Sequence, residues 1–217
     1  AITAVMTTQR FHDYVAYERF TEEGPIAILP LTDGRCGMVW TRKPAEVERM
    51  LALSDDEFLR EFQAAFGFRL GRFLRIGQRA SYNLMLSRAD RHIAQRLAVV
   101  GNAAQGLHPI AGQGFNLGLR DAMSLAEVIA DRRVAGTMDP GDANLLQDYA
   151  DWRETDRRRI VAFTDGLVRL FATPLGVLRS LRSLGILAFD VLPPAKSALA
   201  RLSVGAAERV PRLARGV

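Results

Sequence analysis

The residues best suited to chemistry lie in a glycine-rich stretch at residues 101–121. Gly101, Gly112 and Gly114 permit positive φ angles or close approach of the backbone to a ligand. An apolar run at residues 97–100 precedes the stretch and a helical apolar period follows it, which predicts a strand, a loop and a helix in that order. The unpaired N–H groups and the positive dipole end of such a helix suit a negatively charged or electron-rich ligand.

Two other interpretations of this stretch follow from the residues alone. It could be an ordinary strand-to-helix turn, because glycine is a common turn residue. Gly112, Gly114 and Gly118 come close to a dinucleotide fingerprint, but their spacing is one residue too long and no βαβ unit with a closing acidic residue follows. The spacing therefore argues against an ADP-pyrophosphate loop and leaves the ordinary turn and the ligand loop both open.

The whole stretch resembles the third flavin motif of the aromatic-ring hydroxylases related to p-hydroxybenzoate hydroxylase, G-D-A-A-H-x-x-x-P-x-x-G-Q-G-x-N-x-G-x-x-D. The matching positions are Gly101, Ala103, Ala104, Pro109, Gly112, Gln113, Gly114, Asn116, Gly118 and Asp121. Asn102 replaces the Asp of the general motif, and Gln105 replaces its frequent His. This variant is similar to the ubiquinone-biosynthesis branch of the family, and supporting segments extend the resemblance from about residue 17 to about residue 187.

The resemblance implies FAD as the cofactor and a set of residues that contact it. The implied set is Gly101, Asn102, Ala103, Pro109, Gly112, Gln113, Gly114 and Asn116. In the family, the position of Asn102 contacts the ribityl chain, and an amide can still hydrogen-bond a hydroxyl there. The position of Pro109 lies beside the reactive face of the flavin and is the implied catalytic position. Asp121 is expected to be structural.

The resemblance also implies a reaction. Enzymes of this family reduce FAD with NAD(P)H and use oxygen to hydroxylate an electron-rich ring, while the protein supplies position and electrostatics. The ubiquinone branch implies a polyprenylated phenol as substrate, with a related flavin reductase or halogenase as an alternative. The sequence shows no hydrolase triad, paired catalytic carboxylates or metal-ligand cluster, so no metal is predicted. His12 and His92 are expected at the surface, and His108 is slightly favoured as functional.

Two further motifs of the family are not found in the sequence. One is the G-x-G-x-x-G of a Rossmann-type unit that binds the ADP half of FAD, and the other is a central D-G segment. We therefore expect the chain to be the C-terminal portion of a longer enzyme, without the N-terminal Rossmann-type unit. On that expectation it is inactive alone.

The predicted fold class is α+β, with a mixed or antiparallel substrate-domain sheet, the flavin-motif loop and C-terminal helices. The predicted domains are an incomplete substrate-binding sheet region at 1–93, a flavin-binding strand-loop-helix at 94–133 and a helical region at 134–217. Predicted strands cover residues 1–7, 14–21, 25–31, 36–41, 68–76 and 79–86, and predicted helices cover 115–133 and 144–173. Asp33-Gly34 predicts a hairpin turn, and Ser54 with Glu57 predicts a capping box for a helix that Gly67 ends.

Charge is distributed unevenly along the chain, whose net charge is +5. The run at residues 153–159 is interpreted as a solvated helix face. Residues 169–217 carry a net charge of +6, and leucines recur every third residue from Leu175 to Leu187. This tail is either a helix packed on its own domain or a basic amphipathic surface for anionic lipid or another ubiquinone-biosynthesis protein.

Composition limits the remaining classes of function. Cys36 is the single cysteine and is expected to be a small buried side chain, which excludes a disulfide scaffold. No run reaches the roughly 18 apolar residues of a membrane span. Nucleic acid is not expected as a partner, because aromatic residues do not alternate with the basic ones. A non-catalytic basic membrane- or protein-binding module remains an alternative function, and the expected location is cytoplasmic, at the surface of the inner membrane.

Overall fold

A computed structural model describes residues 1–85, 87–107, 113–136, 139–172, 185, 189, 191–203 and 209–216. The chain forms two compact units, of which the first contains Ala1–Leu84 with the described residues 168–172 and the second contains Met85–Leu167 with the described residues 185, 189, 191–203 and 209–216. The first unit comprises β1 (Ile2–Thr8), β2 (Tyr17–Thr21), β3 (Gly24–Pro30), β4 (Arg35–Trp40), α1 (Pro44–Ala52), α2 (Asp55–Phe66), β5 (Phe73–Ile76) and β6 (Ala80–Ser81). The predicted limits at residues 93 and 133 stay predictions.

The first unit is built on an antiparallel sheet with the strand order β2-β3-β4-β1-β5, and β6 pairs with β1. Alternate residues of β1 point to opposite faces, so that Ile2 and Met6 are buried while Val5 is exposed. Met6 lies opposite Cys36 of β4, which is buried as predicted. The predicted α+β class with an antiparallel sheet is confirmed.

One face of this sheet is covered by α2. Ser54 accepts a hydrogen bond from the Glu57 N–H while the Glu57 carboxylate accepts one from the Ser54 N–H, so the predicted capping box is present. Gly67 ends the helix at a φ of 89°. Phe58 and Phe62 are on the buried stripe of α2 and meet Trp40 edge-on, with ring centroids 5.6 and 5.2 Å away. This aromatic contact fixes the helix against the sheet.

Backbone conformation shortens several predicted strands of the first unit. The hairpin turn is confirmed, with Asp33 and Gly34 in the left-handed region between β3 and β4. The strand predicted at 14–21 starts only at Tyr17, because Tyr14 also has a positive φ. The strand predicted at 68–76 starts only at Phe73, after a turn in which Gly71 has a φ of 71°. The strand predicted at 79–86 is limited to β6, with residue 86 outside the described residues.

The described elements of the second unit include four two-residue strands and the helices α3 to α6, with residues 168–172 at the end of α4 grouped with the first unit. They are β7 (Ser87–Arg88), β8 (Ile93–Ala94), β9 (Leu97–Ala98), β10 (Gln105–Gly106), α3 (Gln113–Val134), α4 (Ala143–Ala172), α5 (Pro193–Ser203) and α6 (Arg212–Arg215). β7 pairs with β10, and β8 pairs with β9. Both long predicted helices are confirmed, whereas the strand expected at 97–100 ends at Ala98. The core of the unit joins α3 and α4 through Val128, Leu145, Leu146 and Tyr149.

Two sequence expectations concern membranes. No helix within the described ranges is both long enough and apolar enough to cross a bilayer. The leucine repeat from Leu175 to Leu187 lies outside the described residues.

Candidate functional site

The glycine-rich stretch begins with a tight turn in the second unit. Residues Gly101–Ala103 form a single 3-10 turn that follows the extended Val100. Gly101 has a φ of 60°, a conformation that an L side chain rarely adopts, so glycine is required there. Asn102 and Ala103 are exposed on this turn. The turn therefore presents the Asn102 amide and local backbone groups to a ligand.

The turn packs directly against α3 through two glycines. A Cβ atom on Gly118 would lie 3.0 Å from the Cα of Gly101, and a Cβ on Gly101 would lie 3.7 Å from the Cα of Gly118. The closer of these separations is tighter than an ordinary carbon contact, so a side chain at Gly118 would press the turn away from the helix. Both motif glycines have a packing reason for their identity, and together they fix the turn beside α3.

The start of α3 supplies the other part of the site. Gln113 is buried, and Gly114 and Asn116 are half-buried; among the described residues, no heavy atom beyond its chain neighbours and its own helix backbone lies within 4 Å of a Cβ built on Gly114. The first N–H groups of a helix have no partner within the helix, and its dipole is positive there. Six of the eight predicted cofactor residues are described, and they lie on the turn or in the first turn of α3. Pro109, Gly112 and His108 lie outside the described residues.

Asp121 connects α3 to this turn. Its carboxylate is fully buried, and Oδ2 accepts a hydrogen bond from the Gly101 N–H at 3.3 Å. Oδ1 accepts a hydrogen bond from Arg153 Nε at 2.8 Å and lies 3.2 Å from Arg157 Nη2. A buried carboxylate is stable only with such partners. The contacts agree with the structural role expected for Asp121.

The Arg153–Arg157 segment differs from its prediction. We predicted a solvated face for residues 153–159, but Arg153, Asp156 and Arg157 are buried. Asp156 Oδ2 accepts a hydrogen bond from Arg120 Nε at 3.0 Å, which links α3 and α4, and it forms an ion pair with Arg153 Nη2 at 2.6 Å. Thr155, Arg158 and Arg159 of the run are exposed, and Arg158 forms an ion pair with Glu154. The prediction was wrong because the acidic partner Asp121 lies 32 residues away in the sequence.

Tyr149 completes this buried polar cluster. Its hydroxyl accepts a hydrogen bond from Arg157 Nη2 at 2.6 Å and donates one to the Val99 carbonyl at 3.4 Å, two residues before the turn. Burial, with the nearby Asp121 charge, raises the pKa of Tyr149 to about 12, so the phenol keeps its proton at neutral pH. Sequence reasoning missed Tyr149, Arg153 and Arg157, although their spacing of four residues places all three on one helix face.

The histidines lie in two different settings. His12 was predicted at the surface but is buried in the first unit, where Nδ1 accepts from the Tyr14 N–H at 3.1 Å and Nε2 lies 3.2 Å from the Leu31 carbonyl. Both ring nitrogens find backbone partners, which accounts for the burial. His92 is half-buried in the second unit. Burial, and then the positive charge of Arg157, lower the pKa of His92.

The described end of the tail packs on its own unit. The Arg209 guanidinium lies 3.8 Å from the centre of the Trp152 ring and donates to Glu127 of α3 at 2.8 Å. The Arg212 N–H donates to the same carboxylate at 2.6 Å. Burial alone would raise the pKa of Glu127, but the Arg212 N–H and Arg209 together lower it. These contacts favour the self-packed interpretation for residues 209–212.

Metal chemistry has no candidate centre in the described part of the chain. No group of three or more His, Cys, Asp or Glu residues is arranged there to hold a metal ion.

Comparison with known proteins gives one family and several relatives. The model of the family described as "FAD binding domain" matches residues 2–164. The chain is 41% identical to the ubiquinone hydroxylase UbiL of Rhodospirillum rubrum over 221 aligned residues, covering 100% of the chain and 51% of that protein. It is 31% identical to the mitochondrial ubiquinone biosynthesis monooxygenase COQ6 of Caenorhabditis elegans, covering 85% of the chain and 48% of that protein. The chain thus spans about half the length of these curated relatives.

A solved structure extends the likeness to the fold. The Diels-Alderase PyrE3 of pyrroindomycin biosynthesis matches 97% of the chain and 45% of its own length, with a TM-score of 0.67 and 21% identity. At this identity the match supports the fold and leaves the reaction open.

Proposed function

The chain belongs to the FAD binding domain family, and from this premise we propose that it is the flavin-site and substrate-domain part of a hydroxylase of ubiquinone biosynthesis. The proposed reaction is the NAD(P)H- and oxygen-dependent hydroxylation of a polyprenylated phenol. The observation that carries the proposal is the folded form of residues 101–107 and 113–121, in which the Gly101–Ala103 turn packs against Gly118 of α3. The similarity to UbiL and COQ6 supports the ubiquinone branch.

The described residues fit a flavin on three physical grounds. The left-handed Gly101 and its contact with Gly118 leave no side chain between the turn and α3. Asn102 is exposed and able to exchange hydrogen bonds with a ribityl hydroxyl. Beyond its chain neighbours, no side chain of the described residues comes within 4 Å of a Cβ built on Gly114 at the start of α3, where the first backbone N–H groups of a helix suit an electron-rich group.

The chain's own residues have positioning and electrostatic roles in this proposal. Bound FAD supplies the redox and oxygen chemistry. The N–H groups of Gln113 and Gly114 and the dipole of α3 would stabilise negative charge on the pyrimidine edge of the ring system. Asn102 would orient the ribityl chain, and Gly101 and Ala103 would let the backbone approach it closely. The placement of Pro109 and Gly112 beside the reactive ring of the flavin stays a prediction.

Fold likeness alone does not select this reaction, because PyrE3 has the same architecture and is a Diels-Alderase. A flavin-dependent halogenase, CmlS, also shares the fold, with a TM-score of 0.58. The choice of hydroxylation depends on the similarity in sequence to UbiL and COQ6, both of which exceed 30% identity. A product assay is therefore the decisive experiment.

The assay uses the protein expressed from its complete open reading frame, called the complete protein below. It is loaded with FAD, desalted and scanned for a visible flavin spectrum. It is then incubated with NADH or NADPH, air and 2-octaprenyl-6-methoxyphenol, the substrate that we propose within the ubiquinone branch. We expect retained flavin and a product heavier by one oxygen atom. Retained flavin with a halogenated or unhydroxylated product would contradict the proposal.

We further propose that the protein acts at the cytoplasmic surface of the inner membrane, where a polyprenylated substrate resides. Val191 and Leu192 are exposed immediately before α5, and Lys196 and Arg201 are exposed on α5 itself. Apolar side chains beside basic ones favour an anionic lipid surface. The complete protein should float with vesicles that contain anionic lipid more than with neutral vesicles. Equal flotation would refute this part and would favour a protein partner for the same surface.

A further inference from the structure

The backbone around the glycine turn is held by buried side chains, of which Asp121 belongs to the flavin motif and the others belong to α4. On the upstream side, Tyr149 donates its hydroxyl proton to the Val99 carbonyl. At the turn itself, the Asp121 carboxylate accepts a hydrogen bond from the Gly101 N–H. These two bonds fix the chain on either side of Val100, at the point where it enters the turn.

Arg157 contacts both of the side chains that make these two hydrogen bonds. Arg157 Nη2 contacts the Tyr149 hydroxyl at 2.6 Å and the Asp121 carboxylate at 3.2 Å, and its guanidinium lies 5.2 Å from the centre of the Tyr149 ring. Arg153 holds the same oxygen of Asp121 from the preceding turn of α4. Because both arginines contact Oδ1, the other carboxylate oxygen, Oδ2, is the one that accepts from Gly101. The direction in which Asp121 Oδ2 faces Gly101 is thus set by α4.

The buried positive charges of this cluster outnumber its buried negative charges. Three buried guanidinium groups (Arg120, Arg153 and Arg157) face two buried carboxylates (Asp121 and Asp156). Burying such a network costs desolvation free energy, and apolar residues of the same volume often stabilise a fold as well or better. A role in specifying geometry accounts for a network that stability alone does not require.

We propose that Asp121, Arg153, Arg157 and Tyr149 form a positioning latch that holds the Gly101–Ala103 turn in its flavin-binding conformation. The latch acts through the backbone of Val99 and Gly101 and makes no contact with the cofactor. This inference rests on the proposed function, since it assigns the latch to the same flavin site. It predicts that FAD affinity depends on side chains of α4 that are buried away from the turn surface.

The test compares three variants of the complete protein. Asp121→Asn removes the charge that binds both arginines and keeps the side-chain volume. Tyr149→Phe removes only the hydroxyl between Arg157 and Val99, and it carries the test if Asp121→Asn does not fold. Asp148→Asn is the matched control, because Asp148 accepts from Arg132 Nε at 2.8 Å across the same two helices but on the exposed surface.

Three measurements are made on each variant. The rate of hydrogen exchange of the Gly101 amide in the protein without FAD reports how well its hydrogen bond to Asp121 is kept. Quenching of flavin fluorescence gives the dissociation constant of FAD, and visible circular dichroism at saturating FAD reports the setting of the bound ring. We expect FAD affinity to fall about 10-fold or more for Asp121→Asn and about 5-fold for Tyr149→Phe, from the loss of a charged and a neutral hydrogen bond respectively.

The outcomes separate this inference from the proposed function. The latch is supported if Asp121→Asn or Tyr149→Phe shows faster Gly101 exchange, weaker FAD binding and an altered dichroism band. In that case Asp148→Asn should behave like the wild type. Wild-type protein that binds FAD, together with variants that bind it equally well and show the same band, overturns the latch and leaves the proposed function standing. Wild-type protein that binds no FAD overturns the proposed function and the latch with it.

Discussion

The contact between Gly101 and Gly118 leads to a quantitative prediction for Gly118→Ala. In most helix interiors this change is favourable, because alanine is more stable than glycine there by about 1 kcal/mol. At Gly118 the new Cβ would lie 3.0 Å from the Gly101 Cα. That atom is backbone in a left-handed residue held by Asp121, so it cannot move aside as a flexible side chain would.

The magnitude follows from comparison with a second helical glycine. Among the described residues, no heavy atom beyond its chain neighbours and its own helix backbone lies within 4 Å of a Cβ on Gly166 of α4, so Gly166→Ala should stabilise the protein by about 1 kcal/mol. Overpacking at Gly118 should cost about 1–3 kcal/mol, which offsets or exceeds the same helical gain. The two variants should therefore differ by about 1–3 kcal/mol, with Gly118→Ala the less stable.

Thermal unfolding and FAD titration of the complete protein measure this difference. For domains of this size, each kcal/mol corresponds to a shift in Tm of about 2–4 °C. Gly118→Ala should melt below Gly166→Ala and should also bind FAD more weakly, because the turn is pressed away from α3. Equal stabilisation by both substitutions, with unchanged FAD affinity, would refute the argument that this glycine pair fixes the turn.

Three further outcomes are expected. Ser54→Ala should lower the free energy of unfolding by about 1 kcal/mol in denaturant titration, because the capping box of α2 is lost. Burial lowers the pKa of His92 below 6.5, so as the pH falls the unfolded chain binds a proton before the folded chain does. The free energy of unfolding should therefore fall as the pH drops below 6.5. His92→Gln should reduce this pH dependence in melting experiments. Arg209→Ala should shift the Trp152 fluorescence to longer wavelength, because it removes the cation over the ring and one ion pair of buried Glu127; an unshifted spectrum would contradict this packing.

Local signals in the sequence predicted much of the fold. Ser54 and Glu57 satisfy each other within one helical turn, and Asp33-Gly34 forms a turn from its own backbone preferences, so both features depend on neighbouring residues alone. The long helices follow from apolar periodicity, and their limits differ from the predicted ones by one or two residues. The strand at Tyr17 was predicted too long because the sequence gives no sign that Tyr14 takes a positive φ.

Long-range partners account for what the sequence did not predict. Arg153 and Arg157 look like members of an exposed charged run until Asp121, on another helix, is placed beside them. His12 is buried because the carbonyl of Leu31, 19 residues away, accepts its ring N–H. Resemblance predicted the motif residues, Asp121 among them, whereas the contacts of Tyr149, Arg153 and Arg157 join segments that are distant in the sequence.

The origin of the added oxygen tests the central claim most directly. The complete protein, loaded with FAD and supplied with NAD(P)H and 2-octaprenyl-6-methoxyphenol, is incubated under isotopically labelled dioxygen, and the product is analysed by mass spectrometry. A flavin-dependent hydroxylase transfers one atom of dioxygen to the ring, so we predict a product that carries one labelled oxygen atom. A product without the label, or flavin-loaded protein that consumes NAD(P)H and forms no hydroxylated phenol, would contradict the account.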